Sequence, residues 1–223
     1  MGTFESARRL TTETAGTDRV PSVGADDDRR LVERARAGDA MAFEALVRRY
    51  ERWVFTLALR MVGDRQEAED IAQEIFLKAY RGLEGFRGAS RFSTWLYAIA
   101  SHHCLNYLGS SDARLRRQVW DPGPVGDCGG DAPTVLDRVP DGAPGPDAVL
   151  EGRELRQAIQ NGLAYLSEEH RLIVVLRDVQ GMSYEEIAAT LGLELGTVRS
   201  RLHRARMDLK AQLGPYLTDG SEA

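Results

Sequence analysis

The segment Ser183–Lys210 constrains the fold of this chain most strongly, because its pattern predicts two short helices joined by a tight turn. Ser183 and Glu186 have the spacing of a capping box, in which each side chain accepts a hydrogen bond from the other residue's backbone N–H. Gly192 permits the turn that ends the first helix. Apolar residues of the second helix fall within one narrow arc: Val198, Leu202, Ala205 and Leu209.

The rest of the second helix is polar and mostly cationic. Four side chains point away from the apolar stripe: Ser200, His203, Arg204 and Met207. Four cations flank them: Arg199, Arg201, Arg206 and Lys210. A helix with one apolar stripe and a basic surface fits the DNA major groove, so the segment predicts a helix-turn-helix. The alternative is a solvated basic helix that ends an unrelated bundle.

The composition favours an all-α protein of one or two domains. The chain has 223 residues, of which 7% are aromatic. Such a low aromatic share, with abundant Ala, Leu, Arg and Glu, is typical of helices. No apolar run is long enough for a membrane span and no signal peptide is recognisable, so we expect no membrane insertion. Two cysteines, Cys104 and Cys128, argue against a disulfide framework and favour the cytoplasm.

The charges are segregated along the chain, although the formal net charge is −5. Gly196–Lys210 carries five Arg or Lys against one acid, whereas Gln118–Ala148 carries six Asp against one Arg. Blocks of opposite sign predict separate electrostatic surfaces for different partners.

Helical periodicity divides the chain into two small domains. Residues 118–148 hold six of the eight prolines and six glycines, a composition that cannot build a core. We therefore predict a disordered tail (1–25), a helical domain (26–115), a Pro/Gly/Asp-rich linker (116–149), a helix-turn-helix domain (150–215) and a short tail (216–223).

One helix of the first domain has an unusual outer face. Opposite its apolar stripe lie Asp70, Gln73, Glu74 and Leu77. A leucine that points to solvent among acids and an amide suggests an apolar contact point for a basic partner surface. An incidental exposed leucine is the alternative.

Aromatic residues and arginines alternate just after this helix. The residues are Phe86, Arg87, Arg91, Phe92, Trp95, Tyr97 and Tyr107, and Ser93 has the position of a helix cap. Such a surface can stack unpaired bases and hold their phosphates. The alternative is that the aromatics fill a small core; this is favoured for Trp95 and left open for Phe86, Phe92 and Tyr97.

No catalytic or metal-binding arrangement is evident. His102, His103 and Cys104 are adjacent on a helix and diverge by about 100° each, so they cannot bind one ion. Neither a nucleophile with an orienting base nor a glycine-rich phosphate loop is found, so we predict a non-enzymatic protein without a cofactor.

The run EAEDIAQEIFLKAYRGLEGFRGASRFSTWLYAIA and the later run LSEEHRLIVVLRDVQGMSYEEIAATLGLELGTVRSRLHRAR together resemble the extracytoplasmic-function sigma factors of bacteria. The resemblance spans residues 28–110 and 150–212. It implies that the chain binds core RNA polymerase and directs promoter-specific initiation. The first domain would melt and read the −10 element, and the helix-turn-helix would read the −35 element.

The resemblance also implies residue roles. The residues that match the face docking on the polymerase β′ clamp helices are Asp70, Gln73, Glu74 and Leu77. The residues that match the −10 strand surface are Phe86, Arg87, Ser90, Phe92, Tyr97, His102 and Asn106. The residues that match the −35 contacts are Arg199, Ser200, Arg201 and Arg204, with His203 facing outward beside them.

Further partners follow from the same resemblance. It implies a contact with the polymerase β subunit, an anti-sigma partner, and an acidic linker that runs towards the RNA-exit channel. A polyanionic segment there is physically reasonable, because a channel that holds RNA must be cationic.

The chain departs from the usual family pattern at three places. Ala98–His102 replaces Arg-Ile-Ala-x-Asn, and the His102 imidazole offers a different donor and acceptor set from an amide. Gly109–Ser111 replaces a basic stretch. Glu194 replaces a capping serine but still favours the helix dipole.

Two competing hypotheses remain on the residues alone. A stand-alone helix-turn-helix regulator, whose first domain dimerises or senses a ligand, would not need the outward Leu77 face. A metal-dependent enzyme built on His102, His103 and Cys104 is a distant third.

Overall fold

The computed structural model describes residues 25–110 and 157–218, with the backbone alone for residue 25 and residues 213–218. Nearly all described residues are helical, and no strand occurs among them, so the predicted all-α fold is confirmed. The predictions for the N-terminal tail, the acidic linker, Cys128 and the last five residues concern positions outside these ranges.

The N-terminal domain is built from four described helices: α1 (Ala25–Arg36), α2 (Ala40–Val62), α3 (Arg65–Gly82) and α4 (Phe92–Gly109). Gly63 ends α2 in the left-handed conformation at φ 88°, which glycine adopts without strain. Asp64 then caps α3, because its carboxylate accepts from the Glu67 N–H at 2.8 Å. A 3-10 turn, Leu83–Gly85, and a loop lead into α4.

The start of α4 differs from the sequence prediction. Arg91 precedes the first helical residue and makes no side-chain cap, so the prediction that Ser93 caps this helix is wrong. Phe92 occupies the first position and buries its ring between Tyr50 and Phe86. Burying a phenylalanine is worth about 1.5–3 kcal/mol, more than the roughly 1 kcal/mol of a cap, so packing sets this boundary.

The C-terminal domain also has four described helices: α5 (157–165), α6 (Glu168–Val174), α7 (Tyr184–Leu191) and α8 (Leu195–Thr218). Ser167 caps α6 by accepting from the His170 N–H at 3.3 Å. A π-helical turn, Val175–Val179, continues α6 towards the helix-turn-helix.

The two domains pack against each other, which the sequence does not predict. The helix α6 and the π turn lie on α2, and α7 lies on α4. Buried residues of both domains belong to one hydrophobic core.

Arg171 is the central polar contact between the domains. Its buried guanidinium donates to the carbonyls of Leu163, Ala164 and Leu166 at 2.8, 2.9 and 3.4 Å. It also donates to the carbonyl of Met61, near the end of α2 in the other domain. Carbonyls at helix ends lack intrahelical donors, so one cation satisfies groups from both domains.

Two glutamines add polar contacts across the same boundary. The Gln180 amide donates to the Trp53 carbonyl at 3.4 Å. The Gln160 amide approaches the carbonyls of Leu59 and Arg60 at 3.5 and 3.4 Å. The two glutamines therefore connect the C-terminal domain to the second half of α2.

Within the described ranges, no helix combines the length and the apolar character that a membrane crossing requires.

We expect Arg171→Met to lower the free energy of unfolding by about 3 kcal/mol, because it leaves buried carbonyls of both domains unsatisfied. Urea denaturation followed by circular dichroism measures the loss. The matched control is Arg48→Met, which removes an exposed arginine paired with Glu44 and should cost less than about 1 kcal/mol. Equal losses of unfolding free energy in the two variants would contradict the central role of Arg171 between the domains.

We expect the Cys104 thiol to be unreactive in the folded protein. It is fully buried in α4, and burial raises its pKa to about 12, whereas the thiolate is the reactive form. Peptide mass spectrometry after iodoacetamide treatment at pH 8 should find Cys104 unlabelled in the native chain and labelled in urea. Equal labelling in both states would rule out this burial.

Candidate nucleic-acid and protein interfaces

The helix-turn-helix forms with the predicted local structure. Ser183 Oγ accepts from the Glu186 N–H at 3.1 Å, and the Glu186 carboxylate accepts from the Ser183 N–H at 2.8 Å. Gly192 turns the chain at φ 64°. Burial of the apolar stripe fixes α8 against α6 and α7, so its opposite face is presented to solvent.

Most of the residues predicted to contact the −35 element lie together on this exposed face. The exposed ones are Arg199, Ser200, His203 and Arg204. Arg201 lies half-buried at the edge, where its guanidinium is 2.7 Å from the Glu169 carboxylate. Glu169 therefore screens Arg201, whereas Arg199 and Arg204 face solvent.

Arg206 is held by the π turn that follows α6 rather than presented outward. Its guanidinium donates two hydrogen bonds to the Asp178 carboxylate, which raise the pKa of Arg206. His170 approaches Asp208 at 3.4 Å on the same side. Sequence reasoning missed these acidic partners because they lie about 30 residues away and meet α8 only in the folded domain.

The predicted docking face on α3 points outward as expected. Asp70, Gln73 and Glu74 are exposed, and Leu77 keeps 54% of its surface accessible. Ala68, Ile71, Ile75 and Ala79 fill the core from the opposite side of the helix. The four predicted residues therefore form one contiguous surface, which we call the leucine face.

The structure adds Tyr80 to the surroundings of the leucine face. Its ring is 52% exposed, and its centroid lies 4.9 Å from that of Phe43 on α2. The apolar surface thus continues from α3 onto α2. Tyr80 follows Leu77 by three residues on the same helix, so helical periodicity could have placed it beside Leu77 from the sequence alone.

The residues predicted for the −10 strand divide between two cavities. The first cavity, of about 700 Å³, lies between α1, the loop before α4 and the C-terminal domain. The predicted residues that line it are Phe86, Arg87, Ser90, Phe92 and Tyr97. The second cavity, of about 390 Å³, includes His102 and Asn106 together with Lys78 and Trp95.

The aromatic residues of the first cavity belong largely to the core. Phe86, Phe92 and Tyr97 are buried, whereas Trp95 is only partly buried, which reverses the order favoured from the sequence. Arg87 and Arg91 remain exposed at the rim. The three buried rings therefore form the floor of this cavity, whereas Arg87 and Arg91 at its rim are in contact with solvent.

Tyr97 forms part of the wall of the first cavity. Its ring stacks on Trp53 with centroids 3.6 Å apart. Its hydroxyl is buried without a hydrogen-bond partner, and burial, followed by nearby Tyr50 and Glu186, raises the pKa of Tyr97. An unsatisfied hydroxyl at a cavity wall is available to an incoming donor or acceptor.

The C-terminal domain covers part of the first cavity. Gly181, Met182 and Glu186, around the start of α7, line it together with the N-terminal residues. Both domains therefore contribute to the walls of this cavity.

In the second cavity, His102 has a defined orientation. Its Nδ1 lies 2.7 Å from the Ala98 carbonyl, so Nδ1 carries the proton that is donated there. In the neutral ring, Nε2 is then an acceptor on an exposed side chain. Asn106 and the Trp95 ring complete a polar and aromatic recess.

Among the described residues, no group of three or more His, Cys, Asp or Glu side chains is arranged to hold a metal ion. His103 and Cys104 are buried, whereas His102 faces outward, so the structure does not bring the three together.

The chain matches known proteins through both domains. Residues 46–114 match the family Sigma-70 region 2, and residues 156–209 match Sigma-70, region 4. The RNA polymerase sigma-H factor of Pseudomonas aeruginosa is 38% identical over 196 residues, which cover 87% of this chain and 97% of that protein. The ECF RNA polymerase sigma-E factor of Escherichia coli K12 is 39% identical over 192 residues, covering 85% and 96%.

Solved structures share the fold. CnrH in complex with the cytosolic domain of CnrY aligns with a TM-score of 0.59 at 27% identity, covering 85% of this chain and 99% of that one. The sigma factor RpoE of Bartonella quintana, in complex with the anti-sigma factor NepR, aligns with a TM-score of 0.52 at 24% identity, covering 77% and 96%. The second likeness concerns the fold alone.

Sequence matches of this identity and coverage establish the family, and both of its domains occur here in the same order. The chain belongs to the extracytoplasmic-function sigma factors, which are transcription initiation factors and not enzymes.

Proposed function

We propose that this sigma factor docks on core RNA polymerase through the leucine face, reads the −35 element with α8, and captures and melts the −10 element with the loop before α4 and with α4 itself. The observation that carries the proposal is that three chemically different surfaces occur on one small chain. The leucine face is apolar and acidic, the outer face of α8 is basic, and the two cavities combine arginines with aromatic rings.

Docking combines apolar burial with charge complementarity. Covering the exposed part of Leu77 contributes about 1 kcal/mol, which is too little for stable binding alone. Asp70 and Glu74 around it favour a cationic partner surface and disfavour other partners. Tyr80, at the edge of the leucine face, adds further apolar area. The polymerase β′ clamp helices are the proposed partner.

The −35 element is read by the exposed side chains of α8. Arg199 and Arg204 face solvent, so their guanidinium groups are available to guanine edges or phosphates in the major groove. Ser200 and His203 lie between them and supply smaller polar contacts. Arg201 reaches DNA only by exchanging its Glu169 partner, so we assign it a phosphate contact at the edge.

The −10 strand is assigned to both cavities. At the first, Arg87 and Arg91 hold phosphates at the rim while Ser90 and Tyr97 offer hydroxyls. The buried rings of Phe86 and Phe92 hold the loop before α4 in place beneath the bound strand. At the second cavity an unpaired base stacks on Trp95 and hydrogen-bonds to His102 and Asn106. The His102 Nε2 acceptor favours a base that presents a donor.

Strand binding at the first cavity requires the domains to separate, because Gly181, Met182 and Glu186 cover it. Docking on polymerase provides the free energy for separating the domains if the leucine face and the C-terminal domain bind polymerase surfaces that are far apart. The linker keeps both domains on one chain, so three modest contacts act together. The protein then works in the cytoplasm, where the polymerase is, and contacts the β subunit as well.

An anti-sigma partner is the proposed source of regulation. The structures similar to this chain include a complex with the cytosolic domain of CnrY and one with an anti-sigma factor, NepR. A protein that binds the packed arrangement would stabilise it and oppose the domain separation that strand binding requires.

We expect the double reversal Asp70→Lys and Glu74→Lys to weaken binding to core polymerase at least tenfold, because like charges at an interface cost several kcal/mol. Competition binding with fluorescent full-length protein measures the change. The double reversal Glu44→Lys and Glu51→Lys makes the same charge change on exposed positions of α2 and should leave the affinity within about twofold. Undiminished binding by the first variant would refute docking through α3.

We expect Arg204→Ala to weaken promoter binding by the polymerase complex about tenfold, in line with the 1–3 kcal/mol of a base-contacting arginine. Filter binding at several salt concentrations separates base contacts from phosphate contacts. Arg206→Ala is the matched control on the same helix and should lose less than about threefold, because Asp178 already holds that guanidinium. A larger loss for Arg206 than for Arg204 would reverse our assignment of the reading face.

A further inference from the structure

The imidazole of His103 lies between two oppositely charged side chains of the neighbouring helix. His103 is on α4 with only 8% of its surface exposed. Its Nδ1 is 2.5 Å from Lys78 Nζ, and its Nε2 is 3.1 Å from a carboxylate oxygen of Glu74. Glu74 and Lys78 are one turn apart on α3, so the ring occupies the space between their charged groups.

The contacts define the protonation of this ring. An ammonium group can only donate, so Nδ1 accepts from Lys78 and Nε2 carries the hydrogen that faces Glu74. Burial and the adjacent Lys78 lower the pKa of His103, which keeps the ring neutral. The Glu74 oxygen lies to one side of the N–H direction, so this contact is chiefly electrostatic.

Without the His103 ring between them, the charged groups of Glu74 and Lys78 would form an ion pair. A glutamate four residues before a lysine is the favourable order for an ion pair on a helix surface. Such a pair would neutralise Glu74, whose side chain is now 62% exposed on the leucine face. The imidazole instead accepts a hydrogen bond from Lys78 and leaves the carboxylate largely open to solvent.

We propose that His103 is a positioning residue that keeps Glu74 and Lys78 from pairing, so that the Glu74 carboxylate stays available to a cationic partner surface. The inference rests on the proposed docking of α3 on core polymerase. It gives a buried residue of α4, outside the leucine face, a role in partner binding.

The test compares three full-length variants in the competition assay with core polymerase. His103→Leu keeps the volume but removes both contacts, and should weaken binding about 1.5- to twofold, the strength of an exposed helical ion pair. Adding Lys78→Met to His103→Leu removes the competing cation and should restore wild-type affinity. His103→Gln should bind like the wild type, because its amide oxygen accepts from Lys78 and its amide group donates towards Glu74.

The outcomes separate this inference from the docking proposal. Weak binding by His103→Leu that Lys78→Met fails to restore would indicate a merely structural role and overturn the inference. Wild-type binding by His103→Leu, with weak binding by the Asp70→Lys and Glu74→Lys variant, would overturn it as well. If that charge-reversed variant binds normally, the docking proposal itself fails.

A measurement on the wild-type chain keeps the inference testable if His103→Leu does not fold. The ¹⁵N shifts of the His103 ring in a long-range proton–nitrogen spectrum report which nitrogen carries the hydrogen. We expect an unprotonated Nδ1 and a protonated Nε2 at pH 7. A protonated Nδ1 would exclude the contact with Lys78 and overturn the inference.

Discussion

The guanidinium of Arg171 bonds to carbonyls at the ends of helices from both domains, and the covering of the first cavity by the C-terminal domain depends on that junction. A buried cation surrounded by main-chain oxygens tolerates little displacement, because each lost contact leaves a desolvated polar group. The junction places α7 against α4 and thereby covers the first cavity. It leaves the leucine face and the outer face of α8 exposed. Under the proposed function, the packed chain would therefore meet polymerase before it holds a melted strand.

Charge is distributed so that each exposed surface excludes the wrong partner. The acids around Leu77 repel nucleic acid, whereas the arginines of α8 attract it. Acidic side chains of α6 and of the π turn hold Arg201 and Arg206 and leave fewer cations free to bind DNA without sequence preference. Under the proposed function, α8 alone would bind duplex DNA with modest affinity, and polymerase would supply the second contact that makes promoter binding specific.

Local patterns allowed much of this structure to be predicted. The Ser183 capping box, the Gly192 helix end and the outward Leu77 follow from rules that act within one helix or turn, and all occur as predicted. The sequence could not predict contacts made across the two domains. Contacts between helices of one domain were missed as well, because the Ser93 cap was replaced by burial of Phe92 against Tyr50 and Phe86. The pairs Arg201–Glu169 and Arg206–Asp178 depend on how α6 and the π turn pack against α8, which no single-helix pattern encodes.

The distance between the domains, with and without polymerase, tests the central claim most directly. Spin labels at Ala89→Cys and Ala189→Cys, both exposed, would report it by double electron–electron resonance in a full-length chain that also carries Cys128→Ser. Labels at two positions of the N-terminal domain serve as the control. The account predicts one short distance for the free protein and a much longer one in the complex with core polymerase. A short distance that persists in the complex would contradict it.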